Sequence, residues 1–233
     1  MGDRLRVVAI EPYFGLSHRM FLEGYKRYSR HDVEIWHLPA RKWKWRMRGS
    51  AYHFAARAHE EQARPGPDVV FASDFLNLAD WRALCPASYR NVPTVLYFHE
   101  NQVAYPLGER APVDYHYGWI NLSSALAADH VFFNSSYQRE LFLEEVQGVL
   151  NRMPDFVPPG LVTGLRDKSG VFPVGIDFEP HEKLRGAYRL WSQPEPVILW
   201  NHRWEYDKDP ERFVEGLIHL RDRKVPFRTV ICG

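Results

Sequence analysis

The chain alternates between short runs of β-branched and aromatic residues and longer stretches in which apolar residues recur at helical spacing. This alternation is typical of a parallel sheet covered by helices. The predicted strands are residues 5–10, 33–37, 68–72, 94–99, 130–133 and 171–174. The predicted helices between them are residues 19–28, 51–63, 76–84, 115–128 and 137–150. The pattern therefore indicates one doubly wound, Rossmann-like α/β domain over residues 1–177.

The alternation pauses after Gly175-Ile176-Asp177, where a polar stretch ends in Gln193-Pro194-Glu195-Pro196. We interpret residues 178–195 as a linker. A strand at 197–200, a helix opening at Pro210 and a strand at 228–232 follow it. A single βαβ unit leaves its strands uncovered on one face, so residues 196–233 are predicted to begin a second, truncated Rossmann-like domain. The alternative is that these strands complete the first sheet.

Composition places the chain among ordinary globular proteins, since 45% of its 233 residues are hydrophobic and 25% are charged. No run approaches the roughly 18 apolar residues of a membrane span, and the N-terminus lacks the apolar run of a secretory signal. We therefore expect a cytoplasmic protein without a membrane partner. Cys85 and Cys232 are the only cysteines, which excludes a disulfide framework and a cysteine-based zinc site.

The net charge of +1 hides an uneven distribution, because residues 1–60 contain 12 Lys and Arg against 6 Asp and Glu. A basic front end suggests an anionic partner such as phosphate or nucleic acid. A solvated basic face explains the same charge equally well.

Ligands of doubly wound sheets bind at the carboxyl ends of the strands, so the loop after the first strand is a candidate site. In this loop Gly15 permits a tight turn, and Ser17 is placed to cap a helix that begins near His18. The free N–H groups of such a helix stabilise an anion. A capped turn with a purely structural role is the alternative.

The fourth predicted strand ends in four successive polar residues, His99-Glu100-Asn101-Gln102. His99 could donate to a substrate hydroxyl or to a developing charge. Glu100 and Asn101 could orient that imidazole or hold sugar hydroxyls. The alternative is a polar network that pins the loop.

A basic segment, residues 41–48, precedes the second predicted helix. Its cations can neutralise phosphates, and its indole rings can stack on unpaired bases or sugars. The alternative is an exposed strand with Trp43, Trp45 and Met47 packed inward. The candidate RNA-binding residues of the segment are Lys42, Trp43, Lys44, Trp45, Arg46 and Arg48.

The loop between the predicted strand at 197–200 and the following helix contains Asn201, Arg203 and Lys208. Both cations could clamp a diphosphate, with help from the helix N-terminus. Ordinary surface ion pairs with the neighbouring carboxylates are the alternative, and such pairs contribute little.

Four stretches, LYFHENQVAYP, YGWINLSSALAADHVFFNSSYQRELFL, LPARKWKWRMRG and WNHRWEYDKDPE, resemble the tRNA-queuosine α-mannosyltransferase family and its bacterial relatives. The resemblance runs nearly end to end. It implies a GT-B fold with two facing Rossmann-like domains. It further implies metal-independent, retaining transfer of mannose from GDP-mannose to queuosine at the wobble position of tRNA.

The resemblance also implies residue roles. Arg203 and Lys208 match the pair that grips the donor diphosphate, and His99 matches the histidine beside the transferred sugar. The turn from Gly15 to His18 matches the loop that covers the diphosphate. The chain ends at Gly233, before the segment whose carboxylate holds the donor sugar in related enzymes.

The sequence is also compatible with two other functions. One is a GT-B glycosyltransferase with a lipid or small-molecule acceptor. The other is a non-catalytic fragment that binds tRNA or a sugar nucleotide.

Overall fold

The computed structural model of the protein describes residues 3–105, 114–184 and 195–232. These residues divide into two compact units. The first contains residues 3–105 and 114–176, and the second contains residues 177–184 and 195–232.

A six-stranded sheet forms the centre of the first unit. All of its strands are parallel, in the order β2-β1-β3-β4-β5-β6. The chain runs outward in one direction from β1 and in the other from β3, so the order reverses between these two neighbours. Such a reversal separates the loops at the carboxyl ends of the strands and opens a crevice there. The strands are β1 (Arg6–Phe14), β2 (Asp32–Pro39), β3 (Val69–Ser73), β4 (Thr94–Phe98), β5 (His130–Phe133) and β6 (Ser169–Val171).

Helices cover both faces of this sheet. Successive side chains of a strand point to opposite faces, so the apolar residues of one strand pack on both sets of helices. Val7 and Ala9 of β1 pack with α1, whereas Val8 and Ile10 belong to a larger cluster with residues of α2, α3, α5, α6 and α7. The predicted α/β class with a doubly wound sheet is confirmed. The helices are α1 (Leu16–Tyr28), α2 (Trp43–Glu60), α3 (Leu78–Leu84), α4 (Ala87–Arg90), α5 (Tyr115–Ala127), α6 (Ser136–Leu150) and α7 (Leu161–Asp167).

The second unit contains α8 (Glu179–Leu184), β7 (Val197–Asn201), α9 (Pro210–Asp222) and β8 (Arg228–Cys232). Its strands pair with each other in parallel and form a sheet of their own. The alternative in which they complete the first sheet is therefore wrong. Helix α9 opens at Pro210 as predicted, and the side chain of Asp209 caps it by accepting from the amide of Arg212. Residues 185–194 of the predicted linker lie outside the described residues.

Two strands differ most from their predicted bounds. Strand β1 continues to Phe14, because Glu11 and Pro12 are buried within it and not placed in a loop. Strand β6 begins two residues before the predicted strand and ends at Val171. Among the described helices, none combines the length and apolarity that crossing a bilayer requires.

The largest correction concerns the basic segment, because its residues 43–48 form the first turns of α2. Met47, Ala51, Phe54 and Ala58 are buried at intervals of three and four residues, which is the helical period. The interpretation of this segment as an alternating strand is therefore wrong. Over eight residues the alternation of cations with indoles imitates a period of two.

Candidate functional site

Buried polar side chains meet at the carboxyl ends of β1, β3 and β4, beside the reversal of strand order. Glu11 lies within β1, Asp74 follows β3 directly, and His99 follows β4 directly. His18 joins them from the first turn of α1. Glu11 is 0% exposed, Asp74 is 2% exposed and His18 is 8% exposed. Burial of several ionisable groups in one place is costly unless they compensate one another.

Glu11 and His18 form a buried ion pair, in which the Nδ1 atom of His18 lies 3.0 Å from Oε2 of Glu11. The other carboxylate oxygen of Glu11 accepts from the amide of Tyr13 at 2.8 Å. Burial disfavours the charged imidazole, but the hydrogen bond and charge of Glu11, together with the charges of Asp74 and Glu100, raise the pKa of His18 to about 9. His18 is therefore a buried cation at neutral pH.

His99 is held against His18, with the two ring centroids 4.0 Å apart. Its amide donates to Oδ1 of Asp74 at 3.0 Å, and its carbonyl accepts from Asn134 and Gln138. Burial, reinforced by the positive charge of His18, lowers the pKa of His99 to about 2. Within the described part of the chain, its buried Nε2 atom has no hydrogen-bond partner. His99 is thus a neutral imidazole with one unpaired, buried ring nitrogen, at the strand end where the sequence predicts it.

Glu11 and Asp74 are not among the residues that the sequence pattern selects. Burial raises the pKa of Asp74 well above its usual value, although the charge of His18 opposes this. A signal for Asp74 was available, because it is a polar residue directly after a buried apolar strand at the reversal of strand order. Glu11 gave a weaker signal, since a charged residue at the end of an apolar run usually marks the exit of the strand.

The turn before α1 differs from its prediction in two respects. Gly15 is extended, with φ at −159°, so it is not required for a left-handed turn. Its lack of a side chain is nevertheless needed, because a Cβ atom there would lie 2.5 Å from Cβ of Ala40. The left-handed conformation falls on exposed Leu16, at φ 44°.

The predicted cap by Ser17 is wrong. Ser17 is exposed inside the first turn, and Gly15 occupies the cap position without any side-chain hydrogen bond. The first turn also contains no acidic residue. The amide of His18 donates to the carbonyl of Gly15 at 3.2 Å, so among the described residues the N–H groups of Leu16 and Ser17 remain available to an anion.

The loop after β4 is partly a structural network. Asn101 is 5% exposed, and its Oδ1 accepts from the amide of Ala104 at 2.9 Å, so this side chain holds the loop. The amide of Gln102 donates to Asn121, which in turn donates to the carbonyl of Asp74. Glu100 is half-buried, and one of its carboxylate oxygens accepts from Gln102 at 3.1 Å.

The first turns of α2 expose most of the predicted RNA-binding side chains. Lys42, Lys44, Trp45 and Arg48 are exposed, whereas Trp43 is half-buried against Tyr117. Arg46 is also half-buried, and its Nε donates to the carbonyl of Pro39 at 3.2 Å. These residues lie together on the first unit.

The predicted diphosphate clamp lies in the second unit, in the loop that follows β7. Asn201 is the last residue of β7, and Arg203 and Lys208 are exposed. Arg203 pairs with Glu205 at 2.9 Å, and Lys208 pairs with Asp207 at 2.7 Å. The pair of Arg203 and Glu205 is exposed on both sides and weak enough to exchange for a phosphate, whereas Asp207 is mostly buried.

Glu11, His18 and His99 also form a group of potential metal ligands, with ligand atoms within 4.8 Å of one another. A metal ion at this place must compete with the hydrogen bond that already joins Glu11 to His18. The ion pair thus provides the charge compensation that a cation would otherwise bring.

The raised pKa of His18 predicts a specific pH dependence. A group whose folded-state pKa is raised contributes stability that is full below its usual pKa of 6.5 and is lost as the pH rises through about 9. We expect the unfolding free energy of the wild type to exceed that of His18→Gln most below pH 6.5, and the difference to decline towards pH 9. Urea unfolding of both proteins across this range measures it. A difference that grows with rising pH contradicts the assignment of charge.

Comparison with known proteins gives a family match over most of the chain. The family model for the N-terminal part of tRNA-queuosine alpha-mannosyltransferase matches residues 6–176. The tRNA-queuosine alpha-mannosyltransferase of Drosophila melanogaster is 38% identical over 235 aligned residues, which cover 97% of this chain. The chain spans 61% of the length of that relative.

Solved structures show likeness of fold alone. The N-terminal domain of Candida albicans trehalose-6-phosphate phosphatase superposes with a TM-score of 0.53 at 14% identity, covering 99% of this chain and 65% of that one. Phytolacca americana UGT2, complexed with UDP-2fluoro-glucose and pterostilbene, gives a TM-score of 0.47 at 13% identity, covering 100% of this chain and 72% of that one. The second score is too low to support a fold assignment.

Proposed function

This chain belongs to the tRNA-queuosine alpha-mannosyltransferase family, and on that premise we propose that its full-length gene product is a GT-B-type enzyme that mannosylates tRNA in the cytoplasm. The donor is GDP-mannose, and the acceptor is a hydroxyl of queuosine at the wobble position. The observation that carries this proposal is 38% identity to a protein of that name along 97% of this chain.

In this proposal the first unit is the acceptor side and His99 lies beside the sugar that is transferred. The pKa of His99, lowered to about 2 by burial and by the charge of His18, keeps its imidazole neutral. Its Nε2, buried and unpaired within the first unit, is assigned a hydrogen bond to a sugar hydroxyl, which adds no positive charge next to a developing oxocarbenium ion. Glu100, one residue further along, contributes negative charge to the same region.

The donor diphosphate is assigned to the second unit, where Arg203, Lys208 and Asn201 supply the contacts. Support for Arg203 and Lys208 comes from the exposure of both cations and from the weakness of the exposed ion pair that Arg203 must give up. In the first unit, the N-terminus of α1 offers an anion the N–H groups of Leu16 and Ser17 and a partial positive charge.

The proposed transfer retains the configuration of the sugar. The bond between the anomeric carbon and the β-phosphate oxygen breaks, and its electron pair leaves with GDP. The acceptor hydroxyl then bonds to the anomeric carbon on the same face and passes its proton to the departing phosphate oxygen. Cations and N–H dipoles assist because negative charge accumulates on that oxygen. The family resemblance implies that no metal is required.

The proposal is tested with full-length protein, labelled GDP-mannose and tRNA either containing or lacking queuosine. We expect mannose on queuosine-containing tRNA only, detected as hexosylated queuosine by mass spectrometry of the digested nucleosides. Turnover should be unchanged by EDTA. Transfer to a lipid or a small molecule instead of tRNA, or donor binding without any transfer, contradicts the proposal. Loss of turnover in EDTA contradicts its metal independence.

A further inference from the structure

A pocket of about 390 Å³ lies at the start of α2. It contains two elements of different chemistry, an aromatic wall and a set of cations. Pockets of this size hold small molecules or single residues of a polymer. The residues that line it are Lys42, Trp43, Lys44, Trp45, Arg48 and Tyr117.

The cations of the pocket lie over its aromatic rings. The Nζ atom of Lys44 is 5.6 Å from the ring centroids of Trp43 and Tyr117, and the guanidinium of Arg48 is 5.0 Å from that of Tyr117. In the part of the chain that the structure describes, neither cation forms an ion pair with a carboxylate. Both charges are therefore available to an anion.

Trp45 is 68% exposed and forms no ring contact with another described residue. A flat apolar ring left open to water is a stacking surface for another ring. Trp45 thus offers a planar ligand an open ring face. Trp43 is half-buried and packs against Tyr117, so less of its ring is open to a ligand.

The hydroxyl of Tyr117 gives independent support for a ligand in this pocket. The residue is 3% exposed, and its hydroxyl has no hydrogen-bond partner among the described residues. An unpaired buried hydroxyl is unfavourable, so a ligand that bonds to it recovers that loss.

The N-terminus of α2 adds to the positive potential of the pocket. Lys42 occupies the cap position in the left-handed conformation, at φ 54°, without a side-chain hydrogen bond. The first turn contains no acidic residue. The amide of Trp45 donates to the carbonyl of Lys42 at 2.8 Å, which leaves the N–H groups of Trp43 and Lys44, among the described residues, to favour a phosphate.

We propose that this pocket binds one unpaired nucleotide of an RNA, with its base stacked on Trp45 and its phosphate held by Lys44, Arg48 and the N-terminus of α2. A sugar alone needs no cations, and an acidic peptide needs no stacking surface. A nucleotide uses the ring, the charges and the Tyr117 hydroxyl together. The inference rests on the proposed function, because it assigns a contact for the same tRNA substrate.

The test measures binding of a fluorescent anticodon stem–loop RNA to the full-length protein without donor. We expect Trp45→Ala to weaken binding about fivefold or more, as loss of one stacked base requires. Binding of the loop strand annealed to its complement should not change. Tyr52→Ala is the matched control, since Tyr52 is a 58% exposed aromatic residue later in α2 and outside the pocket. It should bind as the wild type does.

Two further variants test the phosphate and the hydroxyl. Arg48→Gln should lower the slope of log affinity against log salt concentration by roughly 0.7, the value for one phosphate of a single strand. Lys26→Gln, an exposed cation on α1, should leave the slope unchanged. Tyr117→Phe should keep or raise thermal stability while weakening RNA binding, because it removes an unpaired buried hydroxyl that the nucleotide uses.

Three results overturn the inference. The first is wild-type affinity for the loop in Trp45→Ala and Arg48→Gln. The second is an equal loss of loop and duplex binding in these variants. The third is binding of GMP as tightly as the loop, which assigns the pocket to a free nucleotide. If loop binding depends on Trp45 but no mannose is transferred, the proposed function fails while the pocket stands.

Discussion

Replacement of His18 by Ala should lower the free energy of unfolding by about 3–5 kcal/mol, the usual cost of removing one partner of a buried ion pair. The reason is the position of Glu11, which is 0% exposed and is left without its cation. Urea unfolding below pH 6.5, where the contribution of the pair is full, measures the loss.

The neighbouring residue provides a matched control. Arg19 forms an ion pair with Glu23 four residues later on α1, and both side chains are at least half exposed. Arg19→Ala should therefore cost only about 0.3–0.5 kcal/mol. If His18→Ala and Arg19→Ala lower the free energy of unfolding equally, Glu11 and His18 do not form a buried ion pair in which each charge compensates the other.

Arg203→Ala and Lys208→Ala should each weaken GDP binding to the full-length protein by roughly tenfold or more. A charge-assisted contact to phosphate contributes about 1.5–3 kcal/mol, and either variant loses one such contact. Isothermal titration calorimetry with GDP and with guanosine checks this. Guanosine has no diphosphate, so its affinity should hardly change.

Arg221→Ala is the matched control for the clamp. Arg221 lies at the other end of α9 and pairs with adjacent Asp222 at 2.8 Å, as Lys208 does with Asp207. Its loss should not alter GDP binding. Retention of GDP affinity within about twofold in both clamp variants refutes the assignment, because that difference is only about 0.4 kcal/mol. An equal loss of guanosine binding indicates general damage to the loop.

The buried cluster has a consequence for the reacting region. Close contact with the imidazolium of His18 helps to keep His99 neutral, and Glu11 keeps His18 charged. The charge state of His99 therefore depends on a residue of β1, two strands away in the sheet. A substitution at Glu11 should be felt at His99 without any direct contact to the ligand.

The sequence by itself determined the order and type of the main elements. Its apolar runs located β3, β4 and β5 within one residue of their observed bounds, since a strand buried on both faces needs such a run whatever surrounds it. The same logic placed His99 at the carboxyl end of β4. Pro210 marked the start of α9, because its fixed φ and missing N–H suit the first turn of a helix.

Only the tertiary structure decided how the site works. A glycine is needed at position 15 because the backbone there lies close to Ala40. The pocket at the start of α2 includes Tyr117 from α5. Burial and the charge of His18 lower the pKa of His99, whereas Glu11, Asp74 and Glu100 raise the pKa of His18 against the effect of its burial. Local patterns report which residues are apolar and how they repeat. Desolvation and charge interactions depend on distances between residues far apart in the chain, and folding alone sets those distances.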